Sequence, residues 1–180
     1  MNIPNLLTTF RLFVTSFFIL AINYGEFRIA LWLFVVQAIT DLLDGFLARV
    51  LGEKTSLGAL LDPLADKAML VSSFIVLYMK DIVPFWVTFT VLTRDIILTI
   101  GYLILCKLFG KIEIIPSVLG KLTTFFQIGT VVYVLWSDTR SYQDFFFYPT
   151  VALTIITCIH YVYQGVLIIK NKGRRVSATS

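Results

Sequence analysis

The chain has 180 residues, of which 58% are hydrophobic and 14% charged, with a mean hydropathy of +0.86. Soluble domains carry about a quarter charged residues and are under half apolar, so this composition excludes an ordinary water-soluble fold and indicates a membrane protein. Fifteen Lys and Arg against eleven Asp and Glu give a net charge of +4, and no nucleic-acid partner is expected. The two cysteines, Cys106 and Cys158, both lie in apolar runs and exclude a disulfide framework or a thiolate metal site.

Six apolar segments follow in order, near 6–23, 28–50, 58–80, 83–108, 119–137 and 146–170. Each is about long enough to cross ~30 Å of hydrocarbon at ~1.5 Å per residue. The first has no basic residue before it and is broken by Arg11, so it reads as a retained helix rather than a signal peptide. Short polar breaks separate the segments: NYGEF, LGEKTS, the KD before Val83, GKIEIIPS and SDTRSYQD. The last two are amphipathic enough to lie flat on a membrane. The basic tail 170–180 reads as a frayed end. The pattern predicts one all-α membrane domain over 1–180, a six-helix bundle in which every backbone group is satisfied within its own helix.

Charge orients the bundle. One set of breaks, with the tail, carries Arg49, Lys54, Lys107, Lys111, Lys121, Lys170, Lys172, Arg174 and Arg175; the opposite set carries Arg28, Lys80 and Arg140. The positive-inside rule puts the richer side, and both termini, in the cytoplasm. Trp86 and Trp136, near segment ends, fit interfacial belts. The lone His160 is expected to pack or cap near a helix end.

Four aspartates interrupt this apolar chain. Asp41 and Asp44 are three apart on the second segment, and Asp62 and Asp66 four apart on the third, so each pair shares a helix face. The LGEKTS turn makes the two helices antiparallel neighbours, with the pairs at comparable depth, Asp41 ~13 Å before the turn. A charge at the bilayer centre costs about 2.5–3.5 kcal/mol, so four carboxylates there need compensation. All-oxygen ligands suit hard cations, Mg²⁺ or Mn²⁺, and two such ions would balance four negative charges. Pairing with Arg11, Arg49, Lys67 and Arg94 is the structural alternative, at little net stability. Gly45, Ala48 and Gly58 beside the acidic face permit close helix or ligand approach.

The run Asp41-x-x-Asp44-Gly45-x-x-Ala48-Arg49, eight residues, Gly58-x-x-x-Asp62-x-x-x-Asp66 resembles the signature of the CDP-alcohol phosphatidyltransferase family at every fixed position. The resemblance implies a six-helix membrane enzyme, a homodimer, that moves a phosphatidyl group from CDP-diacylglycerol to an alcohol and releases CMP. It implies that Asp41, Asp44, Asp62 and Asp66 hold two divalent cations, with Asp66 also the general base. Gly45, Ala48, Arg49, Thr55 and Gly58 correspond to the CDP-diacylglycerol site. Asn5 and Thr8 sit where relatives contact the nucleotide lipid, though both also suit capping of the first helix. Arg49 equally suits an interfacial anchor. NIPNLLTTFR at 2–11 and PSVLGKLTTFFQ at 116–127 resemble the branch whose acceptor is glycerol 3-phosphate. TRDIILTIGYLI from Thr93 resembles instead the cardiolipin synthases of this fold, whose acceptor is phosphatidylglycerol. Arg94, Lys121 and Lys67 are the candidate cations for an acceptor phosphate; Lys67 alternatively pairs with Asp95 or Asp62. The rival from a different class is a cation carrier, which acidic membrane residues also suit. No inverted repeat or matched broken helix supports it. The setting expected is a multi-pass protein of the cell inner membrane with its active site facing the cytoplasm.

Overall fold

The computed structural model describes residues 3–51, 58–109, 117–137 and 143–177, with side chains over 10–40, 67–108, 117–137 and 145–170. Six helices account for them: α1 (Ile3–Asn23), α2 (Phe27–Leu51), α3 (Gly58–Met79), α4 (Phe85–Phe109), α5 (Val118–Trp136) and α6 (Gln143–Ser177). The apolar segments mark all six to within a few residues. The largest difference is at α6, which continues to Ser177 beyond the apolar stretch ending at 170. His160 therefore lies well inside α6, where its ring meets the Gln164 amide one turn on, at 3.0 Å, rather than capping a helix end. Most of 110–117 and 137–144, the candidate surface-lying breaks, falls outside the described residues.

Local chemistry sets the helix ends. After α1, Gly25 takes φ +80, with Gly25 N–H bonded to Ile22 O and Glu26 N–H to Ala21 O. That pair of bonds closes a helix through a left-handed residue, which glycine adopts without strain. The same two bonds recur after α3, from Asp81 N–H to Tyr78 O and Ile82 N–H to Leu77 O, with Asp81 at φ 55. Pro84 follows and cannot extend α3, so the chain restarts as α4. Ser117 caps α5, its hydroxyl accepting from Gly120 N–H at 3.1 Å.

Side-chain pairings fix the directions. Lys67 with Thr99, and Phe74 with Thr88, run α3 and α4 antiparallel. Thr123 with Thr157, and Thr130 with Thr150, do the same for α5 and α6. Trp86 against Phe147, and Leu105 near Gly165, make α4 and α6 parallel. Residues 3, 51, 58, 109, 118 and 177 thus gather at one end of the bundle, and the turns at 24–26 and 80–84 at the other.

The two ends differ in what they bury. Among the described residues, Phe18, Ile22, Phe34, Phe74, Leu77, Val83, Val87, Val134 and Phe147 form an apolar core in the half nearer the two turns. Trp86, stacked on Tyr148 at 5.5 Å, and the exposed Trp136 ring that end, as interfacial aromatics do. Toward the other end the buried positions turn polar: Arg11, Thr15, Gln37, Ser73, Thr123 and Thr157. Three helices have described stretches long and apolar enough to span a membrane, Phe85–Leu108, Val118–Trp136 and Phe145–Lys170. The described apolar stretches of α1, α2 and α3 are shorter, Phe10–Asn23, Phe27–Thr40 and Lys67–Met79. The remaining turns of α2 and α3 carry the acidic motif. Outside this polar end, α4 and α6 leave an apolar cleft of about 390 Å³ lined by Leu98, Gly101, Tyr102, Leu105, Tyr161 and Gly165, among others.

Candidate active site

Backbone register brings the predicted residues together. On α2, Ala30, Phe34 and Gln37 are buried, and the same stripe continues through positions 41, 44 and 48. On α3, Met69, Ser73 and Val76 are buried, and their stripe runs back through 66, 62 and 58. On α1, Arg11, Thr15, Phe18 and Ile22 are buried, and Thr8 lies one turn before Arg11. At ~1.5 Å per residue Asp41 lies ~15 Å from the end of α2, and Asp66 ~12 Å from the start of α3. Asp44 and Asp62 are nearer that end. Four acidic positions therefore lie at the same end of two antiparallel helices, both packed on α1 and α5, on stripes that elsewhere face the interior.

The side chains of Asn5, Thr8, Asp41, Asp44, Gly45, Ala48, Arg49, Gly58, Asp62 and Asp66, and all of Thr55, lie outside the described residues. Their helical placement still decides one alternative. Since α1 begins at Ile3, Asn5 and Thr8 lie inside its first two turns and not at its N-cap. Among described residues, no group of three His, Cys, Asp or Glu side chains could hold a metal ion.

The described surroundings of the acidic turns are hydrogen-bonded polar groups in a dry interior. Gln37, one turn before position 41, donates to Thr15 Oγ1 at 2.8 Å and to Arg11 O at 3.3 Å. Its Oε1 is buried without a partner. The candidate acceptor cations separate into two places. Lys67 Nζ donates to Thr99 Oγ1 on α4 at 2.9 Å, while Asp95 pairs with Arg94; the Asp62 side chain lies outside the described residues. Arg94 is buried and pairs through Nη1 with Asp95 Oδ1, its sequence neighbour, at 2.5 Å. Arg94 and Asp95 lie close enough to act electrostatically on Lys67, so these groups form one cluster at the α3–α4 seam. Lys121 stands apart, exposed on the first turn of α5.

Sequence reasoning missed two features. Thr99 is the anchor of Lys67; its i+4 spacing from Asp95 was the available signal. The α5–α6 seam is a ladder of buried hydroxyls, Thr123 with Thr157 at 2.6 Å, Gln127 with Thr154 at 3.3 Å and Thr130 with Thr150 at 2.7 Å. Its signal was the i, i+4, i+7 repeat of polar residues on both helices.

The described geometry is that of a bundle with an apolar core toward one end, and with the acidic positions of α2 and α3 and the Lys67–Arg94 cluster toward the other. Known proteins are similar to this chain in sequence. A probable phosphatidylglycerophosphate synthase of Mycobacterium tuberculosis is 36% identical over 174 residues, 91% of this chain and 81% of that one. The CDP-diacylglycerol–glycerol-3-phosphate 3-phosphatidyltransferase of Escherichia coli is 37% identical over 142 residues, 75% of this chain and 77% of that one. The family model for CDP-alcohol phosphatidyltransferases matches residues 1–159, from the first helix into the sixth. With the motif and the helical scaffold both accounted for, the chain belongs to the CDP-alcohol phosphatidyltransferase family.

Proposed function

We propose that this enzyme transfers the phosphatidyl group of CDP-diacylglycerol to sn-glycerol 3-phosphate, giving phosphatidylglycerophosphate and CMP. The observation that supports the reading is that the acidic positions of α2 and α3 and the Lys67–Arg94 cluster share one end of the bundle. One offers a place for a diphosphate, the other for a second phosphate. The relatives named for this reaction support the choice of acceptor.

The donor set, four carboxylates on adjacent helix turns without His or Cys, fits hard divalent cations. Asp41, Asp44, Asp62 and Asp66 would hold two Mg²⁺ or Mn²⁺, which when bound neutralise charge on the diphosphate and the departing CMP. In the step itself the acceptor hydroxyl oxygen forms a bond to the phosphorus that carries diacylglycerol. The bond from that phosphorus to the CMP oxygen breaks, CMP leaves with the electron pair, and Asp66 takes the hydroxyl proton. Gly45, Ala48 and Gly58 give the nucleotide room against the helices. Arg49, Thr55, Asn5 and Thr8 orient the donor, with Arg49 suited to a bidentate phosphate contact. Arg94, Lys67 and Lys121 receive the acceptor phosphate. The protein works as a homodimer in the cell inner membrane, with this end toward the cytoplasm, the side its basic residues favour.

A second reading has one observation in its favour. The apolar cleft between α4 and α6, at the same level as Thr99, suits an acyl chain and hence a lipid acceptor such as phosphatidylglycerol. CMP release by purified protein, with Mg²⁺ and one acceptor at a time, separates the two. Dependence on glycerol 3-phosphate is expected; dependence on phosphatidylglycerol would replace the first reading with the second. Asp62→Asn should cut turnover by about 10²–10³-fold or more while helix content is kept, as loss of a charge-stabilising group does. Chelator should abolish release, and activity that survives it would refute the divalent-ion proposal.

A further inference from the structure

Among its described side chains, the α3–α4 seam has more cations than carboxylates. Arg94 and Asp95 are 8% and 6% exposed and neutralise one another. One turn nearer the acidic end, Lys67 adds a second cation that, among the described residues, has no carboxylate bonded to it. Its partner is the neutral hydroxyl of Thr99. That hydroxyl donates its own proton to Asp95 O at 2.7 Å, so only its lone pairs are left for the ammonium. Among the described residues the cluster thus carries one excess positive charge. Arg94 Nε, moreover, is buried with no hydrogen-bond partner. An unpartnered guanidinium nitrogen with a second cation beside it suits an anion.

We propose that Thr99 is a positioning residue for the acceptor phosphate. By anchoring Lys67 to α4, it holds the ammonium on the Arg94 side of the seam, so that the two cations grip one phosphate between them. Without that anchor the Lys67 side chain, with four rotatable carbons and a position directly after Asp66, is free to turn toward the carboxylates of its own helix. Thr99 then also sets specificity: the seam discriminates in favour of a phosphorylated alcohol, because a neutral alcohol leaves the excess charge uncompensated. The inference rests on glycerol 3-phosphate being the acceptor and adds the residue that arranges its site.

The test uses Thr99→Val, which keeps the shape and removes the hydroxyl, and Thr99→Ser, which keeps the hydroxyl. In purified full-length protein Thr99→Val is expected to raise KM for glycerol 3-phosphate roughly tenfold, the scale of one charge-assisted hydrogen bond. The kcat and the KM for CDP-diacylglycerol should stay within about twofold of wild type, and Thr99→Ser should restore the acceptor KM. Inorganic phosphate should compete with glycerol 3-phosphate in wild type and do so more weakly in Thr99→Val. An unchanged acceptor KM, equal rises for both substrates, or no rescue by serine would overturn the proposal in favour of a purely structural interhelix bond. Wild-type protein that releases no CMP with glycerol 3-phosphate would instead remove the reading beneath it, and that result is visible before any variant is made.

Discussion

At the scale of single residues, Gly120 shows how tightly the entrance of α5 is built. A Cβ there would lie 2.7 Å from the Tyr161 hydroxyl of α6. That hydroxyl accepts from Ser117 N–H and sits 3.1 Å from Ser117 Oγ, which in turn caps Gly120 N–H. Cap, glycine and tyrosine thus form one unit locking α5 onto α6, directly before Lys121. Gly120→Ala should destabilise the protein by about 1–3 kcal/mol through overpacking. In a Tyr161→Phe background the cost should shrink, since the nearest remaining atoms are Ser117 Oγ and a ring carbon, both at 3.4 Å. A double-mutant cycle by reversible unfolding in detergent measures the coupling, and additive costs would show that the contact is not the cause. Site residues were legible from sequence where their chemistry clashed with their surroundings. Asp41, Asp44, Asp62 and Asp66 stand out because charge in a membrane helix is expensive. Thr99 does not, because a threonine in such a helix satisfies its hydroxyl on its own backbone at no visible cost. Its partner Lys67 is 32 residues earlier in the chain, and only packing brings the two together.

At the scale of elements, the α5–α6 pair shows what holds helices together when the surrounding lipid is as apolar as the core. Apolar burial gives little net drive there, so close packing and interhelix hydrogen bonds decide. Thr123, Gln127 and Thr130 meet Thr157, Thr154 and Thr150 rung by rung, and Thr123 also reaches Leu153 O at 3.3 Å. Such bonds in membrane proteins average about 0.6 kcal/mol, with a ceiling near 1.7. Thr123→Val and Thr157→Val should each cost about that much. The double variant should cost less than their sum, because Thr123 and Thr157 bond to each other and the second change removes a hydroxyl already left without its partner. Equal single and double effects measured against additivity in a denaturant series would distinguish a shared bond from two independent ones. The existence and order of all six helices were legible, since runs of about twenty apolar residues separated by polar breaks leave few alternatives. Partnership was less so. The tight 24–26 and 80–84 turns imply α1–α2 and α3–α4 contact, but the contact of α4 with α6 depends on the path taken by α5, which hydropathy does not encode.

At the scale of the whole molecule, the bundle separates two tasks along its length. The half near the turns is a sealed apolar core ringed by aromatics, and it contributes rigidity. The other half keeps buried polar positions on α1, α2 and α3, which is affordable only because a firm scaffold holds them in register. This polarity makes orientation functionally decisive, since a water-soluble acceptor must reach the polar end from the compartment that contains it. The basic residues concentrate at that same end, among them Lys107, Lys121 and Lys170, all exposed, whereas the turn end carries Arg28 and Lys80. Retention of positive charge on the cytoplasmic side predicts that the acidic end faces inward. In a chain with Cys106 and Cys158 replaced by alanine, Asp81→Cys at the turn end should react with a membrane-impermeant maleimide in intact cells. Lys121→Cys should react only after the cells are opened. Both sites are exposed in the structure, so a failure to label cannot be ascribed to burial within the protein. Labelling in the reverse order would place the reaction outside the cytoplasm and deprive it of a cytoplasmic supply of CDP-linked donor and phosphorylated acceptor.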